Sequence, residues 1–300
     1  VSPIAIGLII FSAMMHAGWN LMGKRHAPSL SFFTLSMSAG ALAFTPFVFS
    51  LLWQLPAMPA TFWWLLLGTG LAQAVYMAGL AWAYARADVS LIYPMARALP
   101  VVMVPCISWL LLDNRVLTAA DWLGMMVIVI GSLILPLPRL SALHWRSYAT
   151  PALGFMLLAA LGTCGYSLID SAALRVLRQH GLSAFEAGSL YLTLQAYSSV
   201  LWMLPVCLLG QQERPTLLGL LQRQQMKVWA STGIAILLTY WLILIAMSYV
   251  TDVSYVVALR QLSIPLGVLA GIVWLKETPT APRLLGVTVI VIGLLLVALG

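Results

Sequence analysis

The chain is 300 residues long, 62% hydrophobic and only 8% charged, with a net charge of +7 and a mean hydropathy of +0.99. A soluble domain carries ~25% charged residues, so an ordinary water-soluble globule is excluded. The positive charge is scattered through short segments between apolar runs, which argues against a nucleic-acid partner and for a role in membrane topology.

A helix that crosses a bilayer needs ~20 mostly apolar residues. Ten spans are predicted, at 3–23, 30–53, 61–84, 89–112, 120–137, 151–174, 184–209, 228–249, 254–275 and 284–299. The first lacks a basic leader and runs into Trp19, Asn20 and Lys24, so it reads as a membrane helix rather than a cleaved signal. Pro28, Pro56, Pro59, Pro136, Pro138, Pro215, Pro279 and Pro282 punctuate the connections. The longest gap, 210–227, is rich in Gln and Arg and reads as a loop. Cys106, Cys164 and Cys207 all lie in apolar runs, with neither metal-ligand spacing nor a disulfide framework, so they read as small core residues.

The spans divide near residue 145 into two sets of five, 1–145 and 146–300, and the sets echo each other. Ala87-Asp-Val-Ser-Leu-Ile-Tyr-Pro-Met-Ala-Arg97 is answered by Thr251-Asp-Val-Ser-Tyr-Val-Val-Ala-Leu-Arg-Gln261. Asp113 and Glu277 close the two helices that follow, His16-Ala-Gly-Trp-Asn20 parallels Thr163-Cys-Gly-Tyr-Ser167, and Tyr76 falls on Tyr240. Ile128–Gly131 and Ile290–Gly293 share Ile-Val-Ile-Gly. An odd number of spans per repeat implies that the second copy enters the membrane from the opposite side. The expected fold is therefore an all-α integral membrane protein of ten transmembrane helices in two inverted five-helix repeats.

Loops after odd-numbered spans hold ten basic residues: Lys24, Arg25, Arg86, Arg139, Arg146, Arg214, Arg223, Lys227, Lys276 and Arg283. Loops after even-numbered spans hold three, Arg115, Arg175 and Arg178. By the positive-inside rule both termini face outward.

The paired five-span halves, the His-Ala-Gly-Trp-Asn opening and the Asp-Val-Ser/Arg/acidic-end pattern resemble EamA-type permeases of the drug/metabolite transporter superfamily. That resemblance covers the whole chain. It implies a multi-pass protein of the bacterial cytoplasmic membrane with a central cavity walled by spans 1, 3, 4, 6, 8 and 9, and with spans 5 and 10 peripheral. It also implies termini in the cytoplasm, against the loop charges.

Arg97 and Arg260 lie inside apolar spans, where an arginine costs ~2.5–3.5 kcal/mol on an insertion scale. Pro94, Pro100 and Pro105 flank the first and Pro265 follows the second, as beside a cavity where irregular backbone is tolerated. One reading is a clamp on a carboxylate or phosphate. The other is that each snorkels or pairs internally, with Asp170 the nearest choice.

Asp170 is the one carboxylate deep in a span; it either titrates and carries a proton, neutralises an arginine, or lies in interfacial water near Arg175 and Arg178. His16 and Asn20 share a helical face beside Trp19, and His16 is either a proton or substrate contact or a structural hydrogen-bonding residue. Tyr76, Tyr93, Tyr166, Tyr240 and Trp241 lie deep on the expected cavity spans, whereas Trp53, Trp63, Trp64, Trp122 and Trp229 sit at span ends. Asp88 and Asp252 read as helix-start residues. Gly267-Val-Leu-Ala-Gly271 is expected to bring two helices of the same chain close together.

The candidate substrate-contacting set is thus Arg97, Arg260, His16, Asn20, Trp19, Tyr76, Tyr240, Tyr93, Tyr166 and Gln261, with Asp170 and His16 as candidate proton carriers. The expected activity is secondary transport of a small anionic or zwitterionic metabolite by alternating access. A lipid-phosphate flippase and an intramembrane enzyme are the alternatives. No cofactor, metal or nucleic acid is expected, and the expected partners are a small-molecule substrate, membrane lipid and at most a second copy of the chain.

Overall fold

The structure, a computed structural model, describes residues 1–23, 29–86, 89–137, 139–142, 151–276, 278 and 280–299. The side chains at 17–23, 56, 89–91, 93, 142, 223, 224, 274 and 275 lie outside that description. All regular structure among the described residues is helical. In chain order the helices are α1 (Pro3–Gly23), α2 (Leu30–Val48), α3 (Ala60–Tyr84), α4 (Val89–Leu112), α5 (Ala119–Ile134) and α6 (Leu153–Gln179). They continue with α7 (Ala184–Leu209), α8 (Glu213–Leu220), α9 (Arg223–Met247), α10 (Val253–Leu259), α11 (Ser263–Leu275) and α12 (Ala281–Leu299). Eight segments are long and apolar enough to cross a membrane, which fits a multi-pass membrane protein; Pro3–His16 and Ala119–Ile134 are shorter apolar helices.

Three departures from the expected spans have local causes. The second span leaves α-geometry at Val48, two residues after Pro46, and finishes as a 3-10 segment, Phe49–Ala57. The stretch read as a loop contains α8, because Pro215 falls in its first turn, where no N–H is needed. Glu213 anchors this helix to α2 by accepting the Ser31 backbone N–H and hydroxyl at 2.9 and 2.6 Å. The ninth span is split into α10 and α11 by a 3-10 turn, Arg260–Leu262.

The helices pack in a regular pattern. α3 lies along α6, and α1 along α9. α2 packs on α7 and α9, α7 also on α3, and α5 on α12; α4 touches α5, α6 and α10, while α11 touches α1 and α12. Large apolar side chains such as Leu42, Phe47, Trp64, Leu111 and Leu209 are exposed. On a soluble protein so much exposed apolar surface would mark an interaction or aggregation site; against lipid tails it needs no cover.

Glycines set the closest helix approaches. Gly124 of α5 faces Gly293 of α12, and Gly131 faces Gly286; a Cβ on any of the four would lie 2.6–2.9 Å from a carbonyl oxygen of the opposite helix. The expected contact at Gly267 is absent: a Cβ there would meet nothing within 4 Å.

α4 and α11 are both followed directly by a non-glycine residue in the left-handed region, Asp113 (φ 48°) and Lys276 (φ 55°). A Cβ there costs about 1 kcal/mol, and the exposed Arg115–Asp113 ion pair does little to offset it. Asp113→Gly and Lys276→Gly are each expected to raise the unfolding midpoint of the purified protein in a thermal melt, with additive effects. A lower midpoint for both would show that the side chains matter more than the backbone.

Candidate functional site

Pro265 has no N–H to offer the Gln261 carbonyl four residues before it, and its ring crowds that carbonyl. This is where the ninth span breaks. The Arg260 carbonyl, released from a regular ladder, accepts from Ser263 Oγ at 3.0 Å and from Arg97 Nη2 at 2.9 Å. In return Gln261 Nε2 donates to the Arg97 carbonyl at 3.1 Å and to the Val257 carbonyl at 3.1 Å. The two arginine-bearing segments are therefore strapped to each other by side chain-to-backbone bonds in both directions. α4 stays helical through Pro94, Pro100 and Pro105.

The Arg97 Nη1 also lies 2.8 Å from His16 Nε2. A guanidinium can only donate, so Nε2 carries the lone pair and His16 is a neutral acceptor. Arg260 is close enough to act electrostatically on the same imidazole. Its guanidinium lies over the Tyr240 ring, 5.2 Å from the centroid, and within hydrogen-bonding reach of the Tyr166 hydroxyl. Tyr166 stands edge-on between the two repeat-related tyrosines, its ring centroid 5.6 Å from Tyr76 and 5.7 Å from Tyr240.

These groups surround a cavity lined by His16, Tyr76, Leu80, Ala96, Arg97, Pro100, Thr163, Tyr166, Val257, Arg260 and Gln261. Its volume is about 40 Å³, room for a few waters but not for a metabolite. His16, Tyr76, Arg97, Tyr166, Arg260 and Gln261 of the sequence-based set all lie on this cavity, with Tyr240 stacked behind Arg260. The side chains of Trp19, Asn20 and Tyr93 lie outside the described residues. Trp241 points elsewhere, donating to Ser189 Oγ at 2.9 Å.

Asp170 corrects two expectations. It is fully buried, so it does not lie in interfacial water, and its partners are neutral donors rather than an arginine. Thr69 and Tyr191 donate to Oδ1, Gln195 to both oxygens at 2.9 and 2.8 Å, and Tyr240 to Oδ2. Thr69, Tyr191 and Gln195 went unnoticed in the sequence. The only signal was the four-residue spacing of Tyr191 and Gln195, which sets two polar side chains on one face of an apolar helix.

A second polar knot joins α4, α5 and α10. Asp252 caps α10 by accepting the Ser254 N–H at 2.6 Å, as expected of a helix-start residue, and also accepts from Asn114 and Ser108. Tyr255 donates to Asp121 at 2.9 Å. Asp88 lies outside the described residues. Cys164 and Cys207 are buried and Cys106 half-buried, all as free thiols.

No protein-family model matches this chain, and no curated protein matches it. Among solved structures, one crystal structure aligns over 98% of this chain and 98% of its own, with a TM-score of 0.67 at 16% sequence identity. At that identity the likeness speaks for the fold alone.

Proposed function

We propose that the chain is a secondary transporter of the EamA type, built as ten spans in two inverted repeats, that moves a small organic anion through the cavity between them. The observation that carries this is the convergence of Arg97 and Arg260, from matching places in the two halves, on one intramembrane cavity with His16 and Gln261. Arg260 is held there by aromatic groups, and no described carboxylate pairs with it. A half-buried cation in a membrane span with no described counter-ion is costly, and an anion that fills the cavity reduces that cost.

The packing pattern supports the repeat. If α1–α5 correspond to α6, α7, α9, α10–α11 and α12, then α3 on α6 has its counterpart in α1 on α9, and α2 on α9 in α7 on α3. The pairs α2 with α7, α4 with α10 and α5 with α12 map onto themselves, as a two-fold axis requires. Repeats related in this way place the binding site at their interface and open it alternately to either side by rocking.

Protein-dependent efflux tests this reading. Proteoliposomes loaded with methylphosphonate, succinate, glutamate and choline are diluted, and the retained solutes are read by mass spectrometry. One or more of the anions is expected to leave while choline stays. Loss of choline alone, with all anions retained, would overturn the assignment.

A further inference from the structure

The Asp170 cage lies beside the cavity but does not line it, and its chemistry is different from that of the arginines. Every contact the carboxyl makes is with a neutral donor, from α3 (Thr69), α7 (Tyr191, Gln195) and α9 (Tyr240). An acceptor-only set of contacts suits the carboxylate. Yet the carboxyl is fully buried, and Arg260, which lies over the ring of its partner Tyr240, does not pair with it. A buried charge held by dipoles alone is relieved by taking up a proton.

Two unsatisfied polar groups lie on the helices between Asp170 and the cavity. Gln73 is one turn from Thr69 on α3, and Ser167 is one turn from Asp170 on α6, each on the face that leads toward Tyr76, Thr163 and the cavity. Gln73 is 5% exposed and Ser167 fully buried, and neither Gln73 Oε1 nor Ser167 Oγ has a hydrogen-bond partner. Buried orphan acceptors between two polar sites are the positions that water occupies.

We infer that Asp170 is the proton-binding site of the transport cycle and that Tyr240 couples it to the cavity arginines. This deepens the transporter reading and rests on it. The proton enters from cavity water and bonds to Oδ2; the Tyr240 hydroxyl then accepts from the new O–H instead of donating, and its own proton turns away from Asp170. An anion beside Arg260 offsets the positive charge that Asp170 feels, so anion binding favours protonation, and by linkage protonation favours anion binding to the same degree. Proton and anion therefore move in the same direction. The other charged or titratable groups around the cage are Tyr191 and Tyr240, bonded to it, and Tyr76, Tyr166, Arg97, Arg260 and His16 toward the cavity. His16 does not compete for the role, because its Nε2 accepts from Arg97 and protonation would place a third cation beside two.

Infrared difference spectroscopy of the purified protein, titrated with acid and with no transported anion added, tests this. A carboxylic acid C=O band is expected to grow as pH falls, to be missing in Asp170→Asn, and to change frequency in Tyr240→Phe, which keeps the carboxyl and identifies the band even if Asp170→Asn does not fold. Arg260→Gln, which removes the cation as a bound anion would neutralise it, is expected to move the midpoint about one pH unit upward, a tenfold change in proton affinity. No such band at any pH where the protein stays folded, a frequency unchanged in Tyr240→Phe, or a midpoint unchanged in Arg260→Gln would overturn the proposal. Because no anion is used, such a failure leaves the efflux result standing, and a failed efflux assay leaves this one readable.

Discussion

Arg260→Gln is expected to weaken anion-dependent transport sharply while leaving the empty protein as stable as before, or more stable. The arginine is a half-buried cation against aromatic groups, so replacing it removes part of a desolvation cost and breaks no described ion pair. What it removes is the charge-assisted bond to the substrate, which lowers anion affinity by roughly tenfold to a hundredfold. Arg97→Gln has a different signature. Arg97 straps His16 and the Arg260 carbonyl together, so its loss weakens both binding and the thermal stability of the empty protein. Paired melts and uptake assays on the two variants separate the roles. If Arg260→Gln melts earlier than wild type by as much as Arg97→Gln, Arg260 is a structural residue and the clamp fails.

The second large effect concerns the α5–α12 contact. Gly131→Leu places a Cβ 2.8 Å from both the Gly286 carbonyl oxygen and the Ile290 nitrogen, so two backbones must separate. Overpacking of this kind costs about 1–3 kcal/mol or more, because no flexible side chain can yield. Gly293→Leu, against the Gly124 carbonyl at 2.6 Å, is expected to behave alike. Gly154→Leu and Gly267→Leu, where nothing lies within 4 Å of the added Cβ, are the controls and are expected to stay near wild type. Folded yield and melting midpoint in detergent report the difference; a well-folded Gly131→Leu would show that α5 and α12 are not packed as described.

These contrasts show which parts of the protein were legible in the sequence. The apolar helices follow from run length, because a bilayer leaves little choice of secondary structure. Arg97, Arg260, His16 and Gln261 stand out because charged or polar groups are rare in such spans, and the structure gathers them on one cavity. The break at Arg260 was foreshadowed by Pro265, but its position depends on which carbonyl the proline orphans and what replaces the lost bond. The Asp170 cage was not legible. Its donors come from α3, α7 and α9, and no linear spacing joins Thr69, Gln195 and Tyr240. The glycine contacts between α5 and α12 were not legible either: Gly267 has the familiar four-residue spacing and meets no neighbour, while Gly124 to Gly131 and Gly286 to Gly293 are seven-residue spacings that match only across two helices.

The central claim is that two arginines from matching positions hold one anion, and ligand-induced thermal stabilisation tests it most directly. Wild type, Arg97→Gln and Arg260→Gln are melted with methylphosphonate, inorganic phosphate, succinate, glutamate and choline in turn. A ligand that binds only the folded state raises the midpoint by mass action, by about 2.7 kcal/mol of added stability at a hundred times its Kd. The account predicts a rise with at least one of the anions in wild type, none with choline, and loss of the rise in both variants. A rise with choline alone, or an anion-induced rise that survives in both variants, would contradict it.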